Sequence, residues 1–177
     1  MQLPELLLSS LKEVEGFNRA AFEKVHSSGI QITSIRKNPI KLSESDASPL
    51  WGGLEGAVPW SQYGYYLSQR PSFTFDPLFH AGTYYVQDAS SMFLAEALKQ
   101  TCNLNENLTL LDLCAAPGGK STLIQSLISA GSLLVSNEVI KSRVHILTEN
   151  ITKWGAANVV VTQNDASDFN ALKSFFD

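Results

Sequence analysis

The chain has 177 residues, a formal net charge of −4, 44% hydrophobic residues and only 17% charged ones. That is enough apolar material to pack a core, as one large domain or two small ones. It excludes a basic nucleic-acid-binding arm, because no stretch carries a surplus of Lys and Arg; contact with nucleic acid would need a local patch or a further segment.

The start, Met-Gln-Leu-Pro-Glu-Leu-Leu-Leu, lacks the basic flank and the length of a secretory signal. No stretch approaches the ~20 apolar residues of a membrane span, so a cytoplasmic protein with no membrane partner is expected. Pro4 suits a first helical turn, and Leu6, Leu7, Leu11 and Val14 recur at helical spacing up to a break at Gly16. A second helix is predicted from Phe17 to His26, ending near Gly29. Ile30 to Arg36 alternates with period two and reads as a strand stopped by Asn38-Pro39. Residues 1–45 therefore read as a small α/β module. Ser43 to Ser48 is polar and loop-like. Trp51, Trp60, Tyr63, Tyr65, Tyr66, Phe73, Phe75 and Phe79 then arrive amid Gly and Pro. Residues 46–87 read as an aromatic-rich connector whose rings cap the core of the next domain rather than stack bases.

Tyr84–Val86 is a short strand, and Asp88 or Ser90 caps a predicted helix from Ser91 to about Gln100. From residue 109 a regular alternation begins: strand 109–114, helix 120–130, strand 133–137, helix 141–153 and strand 158–162. Gly131 and Gly155 fit the ends of the two helices. Apolar strands alternating with helices mean parallel βαβ units. Residues 88–177 thus form one half of a doubly wound, Rossmann-like α/β domain. The two cysteines, Cys102 and Cys114, give neither a disulfide framework nor a metal-ligand spacing, and His26, His80 and His145 are scattered; no metal is expected.

Ligands of such sheets bind outside the carboxyl ends of the strands. Three features fall there. Residues 111–120, Leu-Asp-Leu-Cys-Ala-Ala-Pro-Gly-Gly-Lys, run from a strand into a glycine turn where backbone can approach a ligand. Glu138 follows the second strand, 20 residues beyond Gly118, where an acid can accept both hydroxyls of a ribose. Asp165 follows the third, where a carboxylate can take the exocyclic amine of an adenine. A rival reading starts from Gly119-Lys120-Ser121, which ends like a phosphate-binding P-loop. Cys114 stands where that pattern has its first glycine, and Pro117 removes a backbone donor, which disfavours a nucleoside-triphosphate enzyme.

Residues 58–60 (Val-Pro-Trp), 71–93 with their Tyr-Val-Gln-Asp-Ala-Ser-Ser string, and 111–120 with Cys-Ala-Ala-Pro-Gly-Gly-Lys resemble the Nop/Sun (Fmu) family of RNA 5-methylcytosine methyltransferases. The resemblance covers roughly residues 30–177, and the N-terminal module is compatible with the family's RNA-binding extension. It implies S-adenosyl-L-methionine as cofactor and a structured rRNA or tRNA as substrate. Cys114, Ala115, Ala116, Pro117, Gly118, Gly119 and Lys120 would line the methionine and ribose end, Glu138 would hold the ribose and Asp165 would sit at the adenine. Lys120 would also help to orient the target cytosine.

The family attacks carbon 6 of the cytosine with a cysteine thiolate, after the base is turned out of its stack. That cysteine follows the fourth strand in a Pro-Cys motif, and a second lies in a later Thr-Cys motif. Both are expected beyond Asp177, so no catalytic nucleophile is assigned here and this chain alone is expected to be inactive. Cys114 reads as a small buried residue of the turn and Cys102 as incidental. Without a fourth strand, the outer edge of strand 109–114 is expected to be bare and apolar, open to pairing with another chain. Two other classes stay open: a non-catalytic cofactor- or RNA-binding remnant, and the P-loop-like nucleotide enzyme.

Overall fold

The computed structural model describes residues 3–41 and 52–177. Ser43–Ser48, Trp51 and the boundary at residue 45 lie outside the described residues. The chain divides into two compact units, one ending at Ile32 and one running from Thr33 to Asp177.

The first unit holds α1 (Glu5–Ser10) and α2 (Arg19–Ser27). The first helix is shorter than the predicted one. After Ser10 the chain turns repeatedly, with Gly16 at φ 78°, and Val14 is exposed. Asn18 caps α2 by accepting the amide of Ala21 at 3.0 Å. Arg19 bridges Glu5 and Glu23. Both pairs are open to water, so they add little stability.

The second unit begins with an antiparallel sheet of four strands: β1 (Thr33–Lys37), β2 (Leu54–Ala57), β3 (Gly64–Leu67) and β4 (Tyr84–Val86), in the order β2-β3-β1-β4. Ile35 pairs with Tyr65 on one side and Val86 on the other. The predicted connector is therefore no connector. Its residues supply three strands, two of which, β3 and β4, pair with β1. The aromatic residues do pack, but into this sheet's own core: Ile35, Leu67 and Tyr84 are buried, with Tyr65, Phe73, Leu78 and Phe79 against them. Asp76 is buried beneath, accepting the Tyr84 hydroxyl at 2.7 Å and capping α3 (Pro77–His80) through the Leu78 amide. Phe75 stays exposed.

The helix predicted over 91–100 is two pieces, α4 (Ala89–Met92) and α5 (Leu94–Thr101). Asp88 stands at the N-cap of α4 without a side-chain cap bond.

The parallel sheet follows: β5 (Thr109–Asp112), β6 (Leu133–Asn137) and β7 (Val159–Thr162), joined by α6 (Gly119–Gln125) and α7 (Lys141–Trp154). Strand order β5-β6-β7, with Asp112 beside Ser136 and Asn137 beside Thr162, brings the three carboxyl ends to one edge. Ala115, Ala116, Leu147 and Ile151 pack with Val159 and Val161. On the opposite face, Leu133, Val135 and Val160 line an open apolar groove together with Phe169, Leu172, Phe175 and Phe176 of the last segment.

The residues of β5 are half-buried, and its outer edge is engaged at Thr109. The Thr109 amide donates to Asp177 Oδ2 at 2.8 Å, and the Asp177 amide donates back to the Thr109 carbonyl at 3.0 Å. Among the described residues, β6 is its only strand partner.

Leu147 is fully buried and its side chain faces Gly118 of the glycine turn. Leu147→Ala is expected to cost about 3 kcal/mol, from lost transfer energy and the cavity left behind. A urea titration should show a lower midpoint at unchanged slope; a loss below about 1 kcal/mol would remove Leu147 from the core.

Candidate functional site

The glycine turn is held from beneath. Asp112 ends β5 and its Oδ2 accepts the buried Ser121 hydroxyl at 2.7 Å, tying strand end to helix start. The Ala115 amide donates to the Asn137 carbonyl at 2.8 Å and the Gly118 amide to the Ala115 carbonyl at 2.7 Å. Gly118 takes φ 110°, a left-handed conformation that strains any other residue. From α7, Arg143 Nη2 donates to the Ala116 carbonyl at 2.5 Å and Asn150 Nδ2 to the Pro117 carbonyl at 2.7 Å. Ala115 and Ala116 are small enough to lie buried against Leu147 and Ile151.

A cavity of about 250 Å³ opens on the outer side of this turn. Cys114, Ala115, Ala116, Pro117, Gly119 and Lys120 form one wall. Tyr85, Val86, Gln87, Asp88 and Ser91, from β4 and α4, form the other. Gly118, though in the predicted set, does not line it; it is the buried hinge behind. Cys114, expected to be buried, is exposed. The chain leaves β5 two residues earlier, so the thiol faces the cavity instead of the packed interior. Burial raises the pKa of Tyr85, with Arg36 pulling the other way.

Glu138 and Asp165 stand on the same sheet edge but outside that lining. Glu138 is not a solvated loop acid. It is 2% exposed, its amide donates to the Thr162 carbonyl, and its Oε1 accepts the Ile140 amide at 3.0 Å. Its Oε2 lies 3.3 Å from Arg143 Nη1, an ion pair without hydrogen-bond alignment, and accepts no hydrogen bond among the described residues. A carboxylate oxygen at the carboxyl edge with its hydrogen-bonding capacity unspent suits incoming hydroxyl donors.

Asp165 is exposed and already engaged. Its Oδ1 accepts the Ser167 hydroxyl at 2.6 Å and the Ser167 amide at 2.9 Å, and it forms a capping box with Asp168 at the 3₁₀ turn Ala166–Ala171. These bonds favour the ionised carboxylate and lower its pKa below the ordinary 3.8. The cap is therefore complete above that value and is lost as pH falls through the lowered one. Fraying of residues 166–171 is expected only below pH 3.8. An NMR titration of the Ser167 amide checks this, and a midpoint at or above that pH would contradict it.

The sequence reading missed Asn137. Buried at the end of β6, it donates to the Leu113 and Asn164 carbonyls and accepts from Thr162 Oγ1 and the Asn164 amide, stapling all three strand ends. It missed the cavity's second wall too, although the string Tyr85-Val-Gln-Asp-Ala-Ser-Ser marked it. Arg143, beside both Glu138 and the turn, carried no signal beyond its place on α7.

Two family models match: the N-terminal domain of 16S rRNA methyltransferase RsmF over residues 3–89, and 16S rRNA methyltransferase RsmB/F over residues 99–177. Ribosomal RNA small subunit methyltransferase F of Aeromonas salmonicida is 38% identical over 145 residues, 77% of this chain and 30% of that protein, so the chain spans under a third of its relative. Among solved structures, a methyltransferase homolog protein from Pyrococcus horikoshii matches with a TM-score of 0.68 at 22% identity, over 99% of this chain and 61% of that one. NSun6 from Pyrococcus horikoshii, solved with SFG, matches with a TM-score of 0.67 at 18% identity, over 95% of this chain and 67% of that one. The fold is that of a Rossmann-like methyltransferase. The two models together span nearly the whole chain, which belongs to the RsmB/F family of 16S rRNA methyltransferases.

Proposed function

We propose that this chain is the cofactor-binding portion of an S-adenosylmethionine-dependent enzyme that methylates carbon 5 of a cytosine in structured RNA. The relatives' names favour small-subunit rRNA over tRNA. The observation that carries the reading is Oε2 of buried Glu138, ion-paired with Arg143 but accepting no hydrogen bond among the described residues, on the same edge as a glycine turn with an open cavity. Residues 114–120 would hold the methionine and ribose end, Glu138 the ribose hydroxyls, and Asp165, or its backbone, the adenine. When bound, the cofactor supplies an electrophilic methyl group. Lys120, exposed on the cavity wall, would place the target base. Asp88 and Ser91 face the turn with polar groups.

On this reading residues 1–45 contribute RNA binding, residues 46–87 complete the antiparallel sheet that walls the cavity, and 88–177 form the cofactor half. The nucleophilic cysteine belongs to a segment outside this chain, which alone would not methylate. The segment that supplies it, or another copy, would pair along β5 beyond Thr109. No described helix is long and apolar enough to cross a membrane, and a cytoplasmic location accords with an rRNA substrate.

Calorimetry with S-adenosylhomocysteine is the test. Saturable binding in the micromolar range is expected, with none by ATP and magnesium. The reverse pattern would favour the P-loop reading and overturn this one.

A further inference from the structure

Arg36 sits in the middle of β1, 1% exposed, and among the described residues no carboxylate pairs with it. Burying a guanidinium is costly unless every donor finds a partner. Here all five N–H groups do. Nε donates to Gln87 Oε1 at 2.8 Å. Nη1 donates to the Thr122 carbonyl at 3.3 Å and Ser126 Oγ at 3.2 Å. Nη2 donates to Thr122 Oγ1 at 2.6 Å and the Gly119 carbonyl at 3.4 Å. The guanidinium also lies over the Trp154 ring, 4.4 Å from its centroid. Desolvation lowers its pKa to about 9, which still leaves it charged at neutral pH.

All of these acceptors but Gln87 belong to α6 or to Ser126, the residue that caps its end, and the first residue of α6 closes the glycine turn. Gln87 reaches the same point: its Nε2 donates to the Gly119 carbonyl at 3.1 Å. Thr122 Oγ1 in turn donates to the Gly118 carbonyl at 2.8 Å. If only packing were at stake, an apolar side chain would fill the space at no loss, since buried charges are commonly replaced without cost by hydrophobic groups of similar size. An apolar chain cannot hold two carbonyls and two hydroxyls in one plane; a guanidinium fork can.

We propose that Arg36, together with Gln87, is a positioning residue that sets the Ala115–Lys120 turn and the first turn of α6 from the antiparallel sheet. The cavity wall is then shaped before any ligand arrives, and the antiparallel sheet becomes part of the ligand site's machinery. The ligand arm of the test rests on the function proposed above; the structural arm does not.

The experiment is amide hydrogen exchange on the whole chain, comparing Arg36→Met, Arg36→Lys and the control Ile35→Ala. Ile35 neighbours Arg36 on β1 and belongs to the core of the antiparallel sheet. In Arg36→Met the amides of Gly118, Lys120 and Thr122 should exchange about tenfold faster relative to those of β6 and β7. Arg36→Lys should fall between, because one ammonium reaches only some of the acceptors. Ile35→Ala should destabilise the unit without changing that ratio. Exchange at the turn that stays in step with β6 and β7 in Arg36→Met overturns the proposal. If that variant does not fold, Thr122→Val, which removes one acceptor at constant shape, must show the same selective rise, and an unchanged ratio there also overturns it. S-adenosylhomocysteine affinity should fall about tenfold in Arg36→Met, in step with the exchange. A parent chain that fails to bind S-adenosylhomocysteine defeats the cofactor reading, while the exchange ratio still decides the role of Arg36.

Discussion

Glu138→Ala is expected to weaken S-adenosylhomocysteine binding by roughly a hundredfold, about 3 kcal/mol, the value of hydrogen bonds to a charged acceptor. The carboxylate is pre-set: Oε1 is held by the Ile140 amide, Arg143 lies against Oε2, and the backbone is pinned to β7 through Thr162. A ligand therefore pays little to order it. Truncation removes the acceptor and also leaves the Ile140 amide without its partner, so the variant needs a companion. Glu138→Gln keeps an oxygen for Ile140 but loses the charge facing Arg143. It should retain the parent's melting temperature more closely than the alanine variant while still losing most of the affinity. Calorimetry separates the two effects. An alanine variant that binds within about threefold of the parent would remove Glu138 from the ligand site.

Gly82→Ala should produce the largest loss of stability. Gly82 adopts φ 69°, and a Cβ there would run into the carbonyl of Lys153, which is backbone of α7 and has no rotamer to escape into. The surroundings are equally fixed. The buried Asn38 side chain donates to both the Gly82 and Trp154 carbonyls at 2.9 Å, and Lys41 Nζ donates to the carbonyls of Ala81 and Lys153. Left-handed backbone costs an alanine about 1 kcal/mol, and overpacking against rigid structure about 3 more. The total of about 4 kcal/mol corresponds to a fall of roughly 10 °C in Tm for a unit of this size. Scanning calorimetry measures it. A shift under about 2 °C would mean that the close approach of the Gly82 turn to the end of α7 is not kept in solution.

Both sites show where reading along the chain succeeds and where it stops. The order of elements from 109 to 162 was legible because each of its signals is local, although α6 stops at Gln125 rather than 130 and Gly131 does not cap it. Strands buried in a parallel sheet are unbroken apolar runs; Leu133–Asn137 matched to the residue. Gly155 ends α7 in the left-handed conformation that only glycine adopts freely. The glycine turn was legible for the same reason, since Gly118 encodes its own φ.

The antiparallel sheet was not legible. Its central strand pairs with partners some thirty and fifty residues away, across segments whose Gly, Pro and aromatic content reads as irregular. Nothing local states that Phe73, Phe79 and Tyr84 share a core.

By itself, then, the sequence determined the parallel half, its turn, the rim positions of Glu138 and Asp165, and the family. The fold alone decided that Glu138 is buried with one oxygen unsatisfied and that Asp165 is already spent on a cap. It alone placed Cys114 at the cavity and gave that cavity a second wall from β4 and α4. It also decided that Arg36 lies dry, with its donors spent on α6 and Gln87. Periodicity and glycine report on backbone within a few residues. Burial, satisfied donors and cavity walls depend on chain brought together over tens of residues, and only the packed structure settles them.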